Sequence, residues 1–99
     1  MLVGLGGVWV EAMGDLRLLP PAATHERIIE ELSLLRCAKL FAGIRGTPPV
    51  DLDSVAIAVA KLGRLMRTAP EIVEIDINPL VVYPRGKGVT ALDALVVTQ

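Results

Sequence analysis

Aromatic side chains are nearly absent from this sequence, which holds one phenylalanine, one tyrosine and one tryptophan among 99 residues. Cysteine and histidine each occur once, as Cys37 and His25. An internal disulfide is therefore excluded, and His25 has no second histidine with which to form a metal-binding pair. Because a lone cysteine is usual in a reducing compartment, the sequence predicts a cytoplasmic protein.

An excess of charge of either sign is also missing. Ten basic and eleven acidic residues give a formal net charge of -1, which provides no electrostatic attraction for nucleic acid or an anionic membrane. The longest uncharged run, Met1 to Val10, is shorter than the roughly 20 residues that a membrane-spanning helix needs. This run also lacks the basic start of a signal peptide. Nucleic-acid and membrane partners are therefore not expected.

Aliphatic residues, in contrast, are abundant. Hydrophobic residues make up 53% of the chain and the mean hydropathy is +0.56. A chain of this length forms one domain at most, and it buries something over 60% of its unfolded surface. The apolar excess fits either a plain aliphatic core or a surface that a missing neighbouring domain or a second copy of the chain covers. Composition leaves both explanations open.

Turns and hydrophobic periodicity divide the chain into two strand pairs separated by two helices. The order β-β-α-α-β-β predicts an α+β fold, in which a four-stranded antiparallel sheet is covered by helices on one face. Thr24 and Asp51 are the expected N-caps, and Gly63 lies inside the second helix at a cost of roughly 1 kcal/mol relative to alanine. The predicted segments are strands 8–11 and 15–19, helices 24–36 and 51–69, and strands 72–83 and 89–97.

Two glycine-containing segments are candidates for anion binding. Gly6 and Gly7 end the run Gly4-Leu-Gly-Gly, which lacks the Gly-Lys-Ser/Thr ending of a P-loop. Arg45 lies between Gly43 and Gly46, where its guanidinium can offer several donors to an anion. A flexible approach to a strand and a solvated loop explain the same residues, so the spacing alone does not decide.

The second strand pair carries oxygen-bearing side chains at the strand period. Glu74, Asp76 and Asn78 alternate with apolar residues and therefore share one face. In one register Asn78 stands directly opposite Asp93, whereas a slip by one residue moves Asp93 to the other face. Magnesium usually takes one or two carboxylates from a protein and keeps its other positions for water and phosphate. A magnesium site and a simply solvated strand face both fit this pattern.

These motifs resemble a known family. Glu74-Ile-Asp-Ile-Asn-Pro-Leu80, followed after a turn by Ala91-Leu-Asp-Ala94, is similar to the end of the ATP-grasp domain in NDP-forming acyl-CoA synthetases. That group includes ADP-forming acetyl-CoA synthetase and the succinyl-CoA synthetase beta subunit. Gly4–Glu11 and Gly43–Asp51 match in the same order, so the resemblance covers essentially the whole chain.

The resemblance implies that residues 1–99 are a single partial domain, the C-terminal subdomain and second lobe of an ATP-grasp fold. It assigns Asn78 and Asp93 as ligands of the magnesium that accompanies ATP or ADP, with Asp76 beside them or on a second metal. Matches to family motifs that contact the nucleotide are Gly6, Gly7, Glu11 and Arg45.

The implied reaction joins an organic acid to CoA with conversion of ATP to ADP and phosphate. The expected partners are the N-terminal ATP-grasp lobe and the CoA-binding domains of the parent enzyme. His25 does not match the family's phosphorylated histidine, and the chain alone is expected to be inactive. The alternative is a non-catalytic module that complements an N-terminal partner or self-associates as a homo-oligomer.

Overall fold

The computed structural model describes residues 1–4, 16–43 and 48–99. Within these ranges the α+β class is confirmed, with helices in the middle of the chain and strands towards both ends. The predicted strand 8–11 lies outside the described residues. The elements in chain order are β1 (Leu2–Gly4), β2 (Leu16–Leu18), α1 (His25–Ser33), a 3-10 segment (Arg36–Ala42), α2 (Leu52–Thr68), β3 (Ile72–Ile77), β4 (Leu80–Val82), β5 (Val89–Ala91) and β6 (Ala94–Thr98).

Both helices begin where their capping residues predict. The Thr24 hydroxyl accepts a hydrogen bond from the Arg27 N–H at 3.2 Å, and the Asp51 carboxylate accepts one from the Ser54 N–H at 3.1 Å. Each bond satisfies an amide that the first turn of a helix leaves without a partner. Helix α1 ends at Ser33, earlier than predicted, because the chain continues into the 3-10 segment.

The strands of the described residues do not form the predicted single four-stranded sheet. In the described part of the chain they form three antiparallel pairs, β1 with β2, β3 with β6, and β4 with β5. The last two pairs are parts of one hairpin, the terminal hairpin (72–98), and they are separated at Asn78-Pro79. Pro79 has no N–H to donate to the ladder, so regular pairing stops there. A further shift in register lies between Ile72 and Glu74.

The core is small and lies between the two helices and Leu19. It consists of buried aliphatic side chains from α1, from α2 and from the segments beside α1, namely Leu19, Ile28, Leu32, Leu35, Val55, Ala56 and Val59. Gly63 is buried where α2 meets the Pro20-Pro21 segment. A Cβ at this position would clash with the Pro21 carbonyl oxygen. The glycine predicted to weaken the helix therefore permits this close packing.

A buried carboxylate connects β2 to α1. Glu31 accepts from Arg17 Nε at 2.7 Å and pairs with the Arg27 guanidinium at 2.8 Å. The hydrogen bond from Arg17 is the main reason that the pKa of Glu31 lies below its usual range. Neither helix of the described residues combines the length and apolar character needed to cross a bilayer.

Candidate metal centre on the terminal hairpin

The strand register brings Asn78 and Asp93 together. Ile77 pairs with Ala94 on one side, and Leu80 pairs with Ala91 on the other. Between these pairs the Asn78 N–H donates to the Asp93 carbonyl oxygen at 3.1 Å. Asn78 therefore stands opposite Asp93, which confirms the predicted register.

The candidate ligands are accessible from solvent. Asp76, Asn78 and Asp93 are all exposed. One carboxylate oxygen of Asp93 accepts the Ala94 N–H at 2.9 Å, and this bond holds the side chain close to the backbone at the start of β6. Asp76 precedes Asn78 by two positions on β3 and pairs with Leu95. Strand alternation places Asp76 on the same face as Asn78.

The oxygen donors of Asn78, Asp76 and Asp93 fit magnesium better than zinc or an enclosed calcium ion. Among residues 1–4, 16–43 and 48–99, no three histidine, cysteine or acidic side chains are grouped closely enough to hold an ion. A zinc site or a closed calcium cage needs more protein ligands than this. One amide oxygen and one or two carboxylates, all open to solvent, match the few ligands that magnesium takes from proteins that bind nucleotide phosphates.

Asp51 anchors this hairpin to the rest of the fold, a role beyond its predicted capping function. Its buried carboxylate accepts the Gly88 N–H at 2.8 Å, the Gly86 N–H at 3.1 Å and the Ser54 hydroxyl at 2.8 Å. These bonds, that from Gly88 above all, hold the pKa of Asp51 below its usual range. We call this set of bonds the Asp51 clamp.

The backbone around the clamp reinforces it. The Asp51 N–H donates to the Tyr83 carbonyl and the Arg85 N–H donates to the Pro49 carbonyl, both at 2.9 Å. Gly86 and Gly88 adopt φ values of 83° and 84°, which glycine tolerates best. The two glycines mark a turn in the sequence, but no sequence pattern indicates which distant carboxylate accepts their N–H groups.

The other predicted contacts lie elsewhere or outside the described residues. Gly6, Gly7, Glu11 and Arg45 belong to the ranges that the structure does not describe. The His25 ring lies 2.7 Å from the Asp53 carboxylate, and both residues lie in the first turn of their helices. The His25 side chain is 41% exposed.

An apolar groove lies beside the candidate metal centre. Its volume is about 750 Å³, and it runs between β1 on one side and the β3–β4 part of the hairpin on the other. Helix α2 forms its floor through side chains such as Val55, Val59 and Leu62. Asp76 and Asn78 border the same groove, so whatever covers it also approaches the two candidate ligands.

Curated relatives of this chain are CoA ligases. It is 37% identical over 99 residues to trans-feruloyl-CoA synthase FCS1 from an unknown prokaryotic organism. The aligned region covers 100% of this chain and 14% of that protein. It is 36% identical over 83 residues to the acetate–CoA ligase [ADP-forming] I subunit beta of Pyrococcus furiosus. This aligned region covers 84% of this chain and 36% of that subunit. The chain thus spans well under half the length of these relatives.

Solved structures show the same likeness. Dinucleotide-forming acetyl-coenzyme A synthetase 1 from Ca. Korarchaeum cryptofilum, in complex with coenzyme A and Mg-AMPPCP, matches with a TM-score of 0.86 and 32% identity over 99% of this chain and 45% of that one. PH1788 from Pyrococcus horikoshii matches with a TM-score of 0.85 and 27% identity over 99% of this chain and 41% of that one.

The resemblance to ADP-forming acyl-CoA synthetases is confirmed by these relatives and structures. A family model described as an ATP-grasp domain also matches residues 1–98, which is nearly the entire chain. The chain belongs to the ATP-grasp domain family.

Proposed function

We propose that this chain is the C-terminal part of the ATP-grasp domain of an ADP-forming acid–CoA ligase, and that Asn78 and Asp93 hold the magnesium that accompanies its nucleotide. The observation that carries the proposal is the register that sets Asn78 opposite Asp93. It is supported by the ligase relatives and by a structural neighbour that was solved with Mg-AMPPCP. The N-terminal ATP-grasp lobe and the CoA-binding domains of the parent enzyme are the proposed partners.

Each residue of the hairpin has a distinct task in this proposal. Asn78 presents an amide oxygen and Asp93 a carboxylate, while the Ala94 N–H restricts the movement of the Asp93 side chain. The negative charge of Asp76 on the same face adds to the attraction for a cation. The Asp51 clamp fixes the far end of the hairpin against α2. Bound magnesium would neutralise phosphate charge and align the phosphates for transfer.

The proposed parent reaction converts ATP, an organic acid and CoA to acyl-CoA, ADP and phosphate. Gly6, Gly7, Glu11 and Arg45 are proposed to contact the nucleotide, on the basis of their motifs alone. His25 pairs with Asp53 and has no proposed part in phosphate relay. Because the chain spans only part of its relatives, we propose that it is inactive alone.

The test uses the complete enzyme that contains this chain. We expect Asn78→Ala and Asp93→Asn to raise the magnesium concentration required for half-maximal acyl-CoA formation by about 10- to 100-fold, the usual cost of a disturbed metal site. Glu74→Gln is the matched control, because it removes an exposed carboxylate from β3, four positions before Asn78. Unchanged magnesium dependence in both site variants would reject the assignment. Micromolar binding of Mg-ATP by the isolated chain in calorimetry would reject its proposed insufficiency.

A second candidate function is a module that complements a separate chain or self-associates. It is favoured by the exposed apolar side chains of the β3–β6 pair, among them Val73, Leu95 and Val96, which are 55%, 59% and 51% exposed. The metal-site variants distinguish the two functions. If assembly depends on this surface while Asn78→Ala leaves nucleotide chemistry unchanged, the chain is a module without a catalytic contribution.

A further inference from the structure

The strands of the terminal hairpin do little to fix their own register. All five residues of β6 are exposed and all three residues of β4 are half-buried, so neither strand alternates buried with exposed side chains. That alternation is what pins a register. The β3–β6 and β4–β5 pairs nevertheless keep one continuous register, because the break between them spans equal lengths of both strands. The register is therefore set where the two strands meet, at the turn.

The turn is closed by one backbone hydrogen bond. The Lys87 N–H donates to the Pro84 carbonyl at 2.8 Å, and Gly86 occupies the third position of this turn with a φ of 83°. A positive φ at the third position is the mark of a type II turn and favours glycine. The observed register therefore depends on which glycine takes this position.

A second glycine allows a shifted turn. Gly88 also has a positive φ, of 84°, so it can serve as the third residue of a turn over residues 86–89. A hairpin closed there would set Asn78 opposite Val97 and move Asp93 away from it. The sequence of the turn thus permits a register in which the two candidate ligands are separated.

The Asp51 carboxylate distinguishes the two turns. It accepts the N–H groups of Gly86 and Gly88 at 3.1 and 2.8 Å, which are donors of positive φ at the third position of the turn and two positions later. In the shifted turn the later position falls on Thr90, and a positive φ is a genuine outlier for a β-branched residue. The clamp therefore fits the observed turn and rejects the shifted one.

Contacts outside the hairpin hold Asp51 in place. Its neighbour Val50 forms an antiparallel bridge with Pro84. Asp51 itself caps α2, which contributes Val55 to the buried core. The position of the clamp is thus determined by the core and not by the strands that it holds.

We propose that Asp51 is a positioning residue for the magnesium site, which keeps Asn78 opposite Asp93 by holding the turn in one place. The inference rests on the proposed function, which makes Asn78 and Asp93 the metal ligands. Asp51 acts on them through the hairpin, since the three residue pairs of β4–β5 lie between the turn and the site. Loss of the clamp then weakens metal binding although both ligands are still present.

The test uses the complete enzyme that contains this chain, with the change Asp51→Ser. Serine caps a helix about as well as aspartate does, but its single, shorter oxygen cannot also accept the two glycine N–H groups. Mn²⁺, which prefers the same oxygen ligands as Mg²⁺, is titrated alone and followed by electron paramagnetic resonance of the free ion. We expect the affinity to fall by about tenfold, the lower end of the range for residues that orient metal ligands.

Two controls separate positioning from a general loss of stability. Asp53→Ser is the same chemical change two positions along α2, on a side chain that is 71% exposed. Leu32→Ala removes a buried side chain from the core between the helices and destabilises the fold away from the turn. Below the Tm of each variant we expect both to bind Mn²⁺ within about twofold of the wild type. An effect of Leu32→Ala as large as that of Asp51→Ser overturns the proposal.

Hydrogen exchange in the metal-free enzyme reports the register directly, because the Asn78 N–H donates to the Asp93 carbonyl. We expect Asp51→Ser to accelerate exchange at Asn78, Gly86 and Gly88 while exchange in α1 stays as in the wild type. Unchanged exchange at Asn78 overturns the proposal. If Asp51→Ser fails to fold by circular dichroism, the wild type decides. Its Asn78 amide should open with the same free energy as the two glycine amides, and easier opening at Asn78 overturns the proposal.

Asp93→Asn distinguishes failure of this inference from failure of the metal assignment. If Asp93→Asn weakens Mn²⁺ binding and Asp51→Ser does not, the positioning role is wrong and the metal assignment stands. If Asp93→Asn binds Mn²⁺ as the wild type does, the metal assignment is wrong and the positioning role falls with it.

Discussion

The two ends of the terminal hairpin share one strand register but differ in burial and in hydrogen bonding. At the β4–β5 end, Val82 and Val89 pack against the core and the Asp51 clamp holds the connecting turn. At the β3–β6 end, all five residues of β6 are exposed. Register alone therefore does not determine how firmly a strand pair is held.

The two ends of the hairpin are held in place by different interactions. A buried carboxylate with several donors fixes the turn, because movement of the turn takes the Gly86 and Gly88 donors away from the buried Asp51 carboxylate. A two-stranded ribbon with little apolar burial is marginally stable in water. The β3–β6 end therefore needs a covering surface to become equally firm, and its strand β3 borders the groove and carries Asp76.

Removal of the clamp should produce the largest effect on stability. Asp51→Ala removes the α2 cap and the acceptor for the Gly86 and Gly88 N–H groups. We expect the Tm of the chain to fall by about 10 °C, and exchange at residues 84–88 to accelerate. Differential scanning fluorimetry and hydrogen exchange measure the two effects.

Asp53→Ala is the matched control for this change. Asp53 lies in the first turn of the same helix, but its side chain is 71% exposed and pairs only with His25 among the described contacts. An exposed pair of this kind contributes little, so we expect a Tm change within about 2 °C. A similar loss of stability in both variants would show that charge at the start of α2, rather than the clamp, is responsible.

One substitution made at each end compares their packing directly. Val89→Ala removes methyl groups that contact the core, and we expect a loss of about 1 kcal/mol in the free energy of unfolding. Val96→Ala makes the same change on an exposed strand and should cost less than about 0.5 kcal/mol. Both substitutions lower strand propensity by the same amount. The difference between the two losses in free energy of unfolding therefore measures the contribution of burial. Urea unfolding measures it, and equal losses would contradict the comparison.

Acid should weaken the clamped end gradually. Because the folded pKa of Asp51 is lowered, the carboxylate stabilises the fold fully above its unfolded pKa of about 3.9. This contribution is lost as the pH falls through the lower folded pKa. Asp51→Asn removes the titration, so its stability deficit relative to wild type should shrink between about pH 6 and pH 3.

Glu31 titrates in the same direction as Asp51. It does so in both proteins, so its effect cancels in the difference between wild type and Asp51→Asn. Urea midpoints measured across this pH range provide the test. A deficit that stays constant would mean that the Asp51 carboxylate contributes no proton-linked stability.

Much of the fold and one part of the site were predictable from sequence. Thr24 and Asp51 cap their helices as predicted, since capping depends on residues within one turn. The pairing of Asn78 with Asp93 was one of the registers that the sequence allowed, and the structure selects it. The single sheet was wrong, because Pro79 interrupts the ladder and the described strands supply pairing for only one edge of β1 and β3.

Local patterns in the sequence predicted both helix starts and limited the last hairpin to a few registers, one of which sets Asn78 opposite Asp93. Three contacts between remote segments could not be predicted in this way: Asp51 also holds the turn at Gly86 and Gly88, Gly63 lies against Pro21, and one end of the hairpin is exposed. The difference between the two groups is distance along the chain. Capping and hairpin register act between near neighbours, whereas burial depends on which remote segments meet.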